Sequence, residues 1–360
     1  MREVMVISMM KKCAKSNLTA LLHALSVYAP LYLPVNGNGK DTRAKYTRYE
    51  DGMVYSTDLN TVRSAKDFFF PQTENLVNFK VEGKNIEIID PRTEEEDFIL
   101  FGVRACDFKS FDVLDRVFLS EPVDSYYASR RAHGIIFTMA CTRPAETCFC
   151  TTFGINPAEP AGDVSCYMTE ADLYLDAKTE RGEAILAKLE DLLTDTDSTD
   201  IKTVEDQKTC IASRMEKLPL AALSTEKFGG DKLDTLFDDP RWESLSEACL
   251  ACGTCTYVCP TCQCYDIKDF NTGHGVCRFR YWDSCMYSEF TKMSAGQPRL
   301  TQMQRFRQRF MHKLVYYPAN NDGLFSCVGC GRCLASCPIS MNIVKVMKTF
   351  SEEVSDNGSK

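Results

Sequence analysis

Eight cysteines near the C-terminus are the residues most clearly spaced for chemistry in this 360-residue chain. Cys249, Cys252, Cys255 and Cys259 precede Pro260, and Cys327, Cys330, Cys333 and Cys337 precede Pro338, so one pattern, C-x2-C-x2-C-x3-C-P, occurs twice. Thiolates at these intervals hold cubane iron–sulfur clusters, and in a pair of such runs the fourth cysteine of each ligates the cluster of the other. The pattern predicts two [4Fe–4S] clusters: one on Cys249, Cys252, Cys255 and Cys337, the other on Cys327, Cys330, Cys333 and Cys259. A chain so equipped handles single electrons.

The spacing has a physical basis. Cysteines at two-residue intervals let a tight loop curl around one cluster face and aim backbone N–H groups at its sulfurs. Gly253, Gly329 and Gly331 stand where such a loop must bend without a Cβ. Proline after the fourth cysteine sets φ and turns the chain away. Four cysteines with CxxC spacing also describe structural zinc, but zinc gives no reason for three evenly spaced cysteines plus a Cys-Pro pair in both runs.

Composition narrows the class. Nineteen cysteines, with a Met1–Met10 opening too short for a signal peptide and followed by Lys11 and Lys12, predict reduced thiols in the cytoplasm and no membrane span. A net charge of −8 argues against nucleic acid as a general partner. Neither GxGxxG nor a Walker A run is present, so nicotinamide or ATP is expected to bind elsewhere.

Hydrophobic patterning predicts an α/β N-terminal domain over residues 1–200, a linker region over 201–241, and a mostly α-helical domain over 242–347 containing a bacterial-type two-[4Fe–4S] ferredoxin-like motif, then a tail over 348–360. The acidic, Ser/Thr-rich stretch Thr194–Asp200, just before that region, is the best candidate for a linker. In the first domain, Asn17–Tyr28 has helical spacing, and Val77–Ile89 reads as two strands turning at Glu82-Gly83-Lys84. Phe98–Val103 and Gly134–Ala140 read as buried strands. A helix with Phe108, Phe111, Leu114 and Phe118 on one face follows the first. Asp172–Asp176 reads as a short strand and Ile185–Leu193 as part of an amphipathic helix.

If the two buried strands are parallel neighbours, Cys106 and Cys141 meet at their carboxyl ends, where such sheets bind ligands. Cys106 then sits at a helix N-terminus, which favours thiolate. Cys148 and Cys150 follow in a loop able to fold over the same edge, completing a four-thiolate set for a third metal centre. Iron–sulfur is favoured there over zinc, and the alternative is four buried thiols packed as small hydrophobes.

Other features read more plainly. Cys262, Cys264, Cys277 and Cys285 are expected to pack around the cluster domain, the alternative being a further four-thiol site. The segment Arg299–Lys313, with Arg305, Arg307, Arg309, His312 and Lys313, reads as an amphipathic helix whose basic face is solvated or docks a partner electrostatically. His23, His133 and His274 stand alone.

An ordered series of motifs carries a resemblance over nearly the whole chain. Phe101-Gly102-Val103-Arg104-Ala105-Cys106-Asp107, Glu146-Thr147-Cys148-Phe149-Cys150-Thr151-Thr152-Phe153-Gly154, Cys259-Pro260-Thr261-Cys262-Gln263-Cys264-Tyr265, Trp282-Asp283-Ser284-Cys285 and Cys327-Val328-Gly329-Cys330-Gly331-Arg332-Cys333 occur in that order. The chain resembles the family containing the iron–sulfur subunit of anaerobic sulfite reductase and the beta subunits of cytoplasmic sulfhydrogenases. Phe68-Phe69-Phe70-Pro71-Gln72 is more similar to the hydrogenase-associated branch. The resemblance implies a protein relaying electrons between a separate FAD- and NAD(P)-binding flavoprotein and a catalytic partner such as a hydrogenase, a sulfite reductase or a heterodisulfide-reductase-like complex. With no flavin or nicotinamide fingerprint of its own, the isolated chain is expected to show little NAD(P)H-dependent activity. The competing class is an iron–sulfur redox sensor that binds a regulatory partner.

Overall fold

The computed structural model describes residues 10–37, 42–58, 61–92 and 96–352. Most of the opening Met1–Met10 segment and the tail beyond 352 lie outside them. The chain divides into two compact units, Met1–Phe69 with Glu95–Ala221, and Phe70–Glu94 with Ala222–Lys360. Among the described residues, twelve strands are β1 (Lys11–Ala14), β2 (Leu31–Asn36), β3 (Ala44–Arg48), β4 (Thr73–Glu82), β5 (Asn85–Ile89), β6 (Phe98–Arg104), β7 (Gly134–Met139), β8 (Val164–Met168), β9 (Asp172–Ala177), β10 (Thr194–Asp195), β11 (Tyr265–Asn271) and β12 (Gly275–Trp282).

In the first unit, eight strands form one sheet in the order β10-β1-β9-β8-β7-β6-β2-β3. Its centre, β2-β6-β7-β8, is parallel, and antiparallel strands flank it on both sides. β6 and β7 are buried almost throughout, as continuous apolar runs in a covered parallel sheet should be. Leu21, Leu22 and Leu25 of the helix Leu18–Tyr28 pack into the core with Ile99, Phe101, Ile135 and Phe137. The crossover from β6 to β7 runs through the helices Ala105–Phe118 and Ser125–His133. Gly102 breaks the β6 register between Phe101 and Val103 at φ +81°, and a Cβ there would meet the Tyr55 ring at 2.8 Å. The bulge therefore needs glycine and re-aims the strand just before Arg104 and Cys106.

The second unit holds a four-stranded antiparallel sheet, β11-β12-β4-β5. This corrects two expectations. The unit with the cysteine runs is not mostly α-helical, and the strand pair expected near Val77–Ile89 belongs to it rather than to the first unit. The physical reason is strand pairing: β4 hydrogen-bonds along β12, in the long insert between the runs. A buried ion pair, Arg280 Nε donating to Glu74 Oε2 at 2.6 Å, joins them. Removing either partner of such a pair leaves an uncompensated charge, costing about 3–5 kcal/mol.

The segment 201–241 is also not a linker. Ser198–Glu216 is a helix burying Val204, Ile211 and Met215 in the first unit, and Phe228, Leu236 and Trp242 are buried in the second. The Ser/Thr/Asp composition that suggested a linker is capping chemistry: Asp197 accepts from the Thr199 and Asp200 amides, and Asp200 reaches back to the Asp197 amide. Helix Ile343–Ser351 likewise extends into the expected tail, with Phe350 packing against Trp242.

Candidate metal centres

Both C-terminal runs fold by one local recipe. In the first, Ala251 (φ 52°) and Gly253 (φ +73°) flank Cys252; in the second, Gly329 (φ +57°) and Gly331 (φ +77°) flank Cys330. Gly253 and Gly331 then cap the short helices Thr254–Tyr257 and Arg332–Ser336, which carry the third cysteine of each run and pack on each other. Left-handed residues alternating with the cysteine between them wind the loop tightly, the geometry by which backbone N–H groups make an anion-binding concavity.

The two runs interlock. Cys259 Sγ lies 3.2 Å from Thr261 Oγ1. The Thr261 hydroxyl donates to the Ser326 carbonyl at 2.9 Å, immediately before Cys327. Lys313 clamps the junction, its Nζ donating to Thr261 Oγ1 at 2.8 Å and to the Ser326 carbonyl at 2.9 Å. The end of the first run thus meets the start of the second, and Cys333 and Cys327 both lie within electrostatic reach of Cys259. Cys255 faces Cys249, Cys259 and Cys252.

Charge supplies the fit test for a cluster. Lys313 and Arg309 are 4% and 2% exposed, and an unpaired buried cation is costly. Burial alone would lower the Lys313 pKa, yet the surrounding Cys259, Cys262 and Cys327 raise it overall. Arg309 is raised against burial in the same way by Cys255, Cys333, Cys262 and Cys259. Its Nη2 donates to the Cys255 carbonyl at 3.3 Å, while buried Nε and Nη1 have no hydrogen-bond partner among the described residues. Buried cations with spare donors, surrounded by cysteines of both runs, match thiolate-ligated clusters bearing negative charge.

These cations were misread in the sequence. The helix Gln302–Met311 continues through a π-helical turn, His312–Tyr316, into Tyr317–Asn320. Arg309 and Lys313 share the buried stripe of Phe306 and Phe310, at positions 306, 309, 310 and 313. Arg305 donates to the Met286, Arg299 and Leu300 carbonyls, and Arg307 lies over the Phe237 ring at 3.7 Å. The basic face is therefore largely engaged within the unit instead of free for docking. The signal available was two cations at apolar-stripe positions, in a chain with eight patterned thiols needing compensation.

In the first unit, β6 and β7 are parallel neighbours, so Cys106, in the first turn of Ala105–Phe118, and Cys141, after β7, leave the same sheet edge. Cys106, Cys141, Cys148 and Cys150 are 9%, 8%, 7% and 5% exposed. Cys150 feels both Cys141 and Cys148, and burial first, then these thiols, pushes it up to about 12. Burial likewise pushes Cys141 up to about 11, opposed by Arg104. Arg104, itself 5% exposed, faces both Cys141 and Cys106. The buried Thr152 hydroxyl, two residues beyond Cys150, has no partner among the described residues. Four buried thiols, a buried cation and a spare hydroxyl fit a thiolate-ligated centre.

The remaining sites separate. The free thiols Cys262 and Cys264 hydrogen-bond with Cys259 and Cys285 respectively, whereas Cys277 Sγ donates to Asn75 across β12 and β4. His23 and His133 pair with Asp51 and Asp97 at 2.8 and 2.9 Å, at the surface.

Comparison with known proteins bears on this geometry directly. A family model described as a 4Fe–4S dicluster domain matches residues 248–341, spanning both runs and the helix between them. Over 295 residues the chain is 31% identical to sulfhydrogenase 2 subunit beta of Pyrococcus furiosus, covering 81% of this chain and 84% of that protein. The chain belongs to the iron–sulfur sulfhydrogenase beta-type family. As a member it is an iron–sulfur electron-transport protein of the oxidoreductase class. The match extends well beyond the dicluster segment. Among the described residues, no helix is long and apolar enough to cross a membrane.

Proposed function

We propose that this chain is the electron-relay component of a cytoplasmic, hydrogenase-type oxidoreductase complex. It relays electrons between an FAD- and NAD(P)-binding flavoprotein and a catalytic partner. The observation that carries the reading is the Thr261–Ser326–Lys313 junction, which joins the fourth cysteine of one run to the first of the other. Cys249, Cys252, Cys255 and Cys337 would hold one [4Fe–4S] cluster, and Cys327, Cys330, Cys333 and Cys259 the second. Cys106, Cys141, Cys148 and Cys150 would hold a third iron–sulfur centre. Such clusters accept and release one electron at a time, so a flavin on a partner must divide two-electron chemistry. The chain's own part is to hold the thiolates, to exclude water, and to place Lys313 and Arg309 where negative charge accumulates. The relative's name, a sulfhydrogenase beta subunit, supports a hydrogenase-type partner.

Anaerobic purification of the native complex tests this. We expect a co-purifying flavoprotein, acid-labile sulfide, and low-potential cubane signals in electron paramagnetic resonance. NAD(P)H oxidation should be negligible for the isolated chain and appear with the flavoprotein. An isolated, flavin-free chain that matched the complex in NAD(P)H oxidation would refute the relay.

A further inference from the structure

A cavity of about 280 Å³ opens in the first unit, lined by Arg104, Met139 and Met168 from the carboxyl ends of β6, β7 and β8. That edge is where parallel sheets hold ligands. Its lining includes buried Arg104 and Tyr55 and exposed Lys15, Arg143 and Arg214. Four cations thus line a cavity with one carboxylate, Glu170, in a chain whose net charge is −8.

Elsewhere in this unit cations sit on carboxylates: Lys11 on Asp195 at 2.6 Å, Lys12 on Asp200 at 2.7 Å, Lys208 on Glu205 at 2.7 Å. Lys15, Arg143 and Arg214 form no ion pair with any described carboxylate. Arg214 donates to the Thr142 carbonyl, another lining residue, which holds its head group at the cavity. Concave walls focus such charge and raise the local concentration of anions. A second observation points to the rest of the ligand. Gln207 also lines the cavity; its Nε2 donates to the Met168 carbonyl at 2.6 Å, leaving buried Oε1 without a partner among the described residues. A buried acceptor without a donor is costly until something supplies one.

We infer that this cavity binds a small hydroxylated organic oxyanion, a carboxylate or phosphate ester. Its anion sits among Arg104, Arg143, Arg214 and Lys15, and its hydroxyl donates to Gln207 Oε1. Arginine suits this task because its planar fork matches carboxylate and phosphate oxygens. Arg104 also faces Cys141 and Cys106, but Lys15, Arg143, Arg214 and Gln207 belong to the cavity alone, so ligand binding is tested separately from the relay function.

Titration calorimetry on the anaerobically prepared full chain, at constant ionic strength, tests it with malate, succinate and glycerol 3-phosphate. Malate or glycerol 3-phosphate should saturate one site, and malate should bind more tightly than succinate, which lacks the hydroxyl. Arg143→Gln with Arg214→Gln should weaken binding about ten- to hundredfold, from the loss of charge-assisted hydrogen bonds. Lys11→Gln, which removes a cation outside the cavity, should leave binding unchanged, and Gln207→Leu should erase the malate preference. Failure of malate and glycerol 3-phosphate to bind, equal weakening by Lys11→Gln, or a malate preference that survives Gln207→Leu would each overturn the assignment.

Discussion

The two cysteine runs share a sequence pattern and a backbone recipe, yet the fold puts them in different surroundings. At matched positions, Leu250 of the first loop is 62% exposed and Val328 of the second is 3% exposed. Cys252 is exposed, whereas Cys330 is 7% exposed. The Thr254 hydroxyl draws the Cys252 thiol below its ordinary pKa, while burial pushes Cys327 up to about 12 and Cys333 up to about 11. The difference teaches that spacing sets which atoms can ligate, while packing sets the dielectric and charge around them, and cluster potentials follow the latter. One loop faces solvent and the other is enclosed beside Lys313, so the paired sites are chemically unequal.

Exchanging matched ligands should expose that inequality most strongly. Cys330→Ala should remove about four iron atoms per chain, the content of one cubane, and lower the melting temperature, because metal binding is part of the folding free energy. Cys252→Ala, at the exposed loop, should lower it less. Iron and sulfide analysis with calorimetry checks both, and equal losses of stability would erase the distinction.

A smaller effect should come from the buried cation. Lys313→Met keeps the length of the side chain and removes its charge, and it should lower the potential of the cluster proposed on Cys327, Cys330, Cys333 and Cys259 by on the order of 100 mV. The other cluster should move less, because Lys313 hydrogen-bonds at the Thr261–Ser326 junction. Redox titration followed by electron paramagnetic resonance reads both; equal shifts would break the comparison at its electrostatic root.

The smallest effects belong to the backbone. Ala251 adopts at φ 52° the conformation for which the second run uses Gly329 at φ +57°. Ala251→Gly should stabilise the protein by about 0.5–1 kcal/mol, and Gly329→Ala should destabilise it by about 1 kcal/mol. Anaerobic denaturant titration gives both signs, and like signs would show that the loops are not conformationally equivalent.

What could be read from residues alone was set by covalent spacing and local patterning. Cysteine intervals mark the segment that matches a 4Fe–4S dicluster domain, glycines mark left-handed turns at 253, 329 and 331, and two apolar runs specify parallel strands that deliver Cys106 and Cys141 to one edge. Each depends on near neighbours or on a hydrophobic run long enough to demand burial. Non-local matters were decided by the tertiary structure. Glu74 and Arg280 pair across 206 residues, and nothing in the local pattern of Val77–Ile89 shows which sheet offers a free edge. Arg309 and Lys313 look solvated beside other basic residues, and only the approach of both cysteine runs makes their burial favourable. The cation-lined cavity arises the same way, gathering Lys15, Arg104, Arg143 and Arg214 from separate elements. The physical reason is range: rotamers, turns and strand runs are settled within a few residues, whereas burial, charge compensation and edge pairing depend on which distant segments the packed chain brings together.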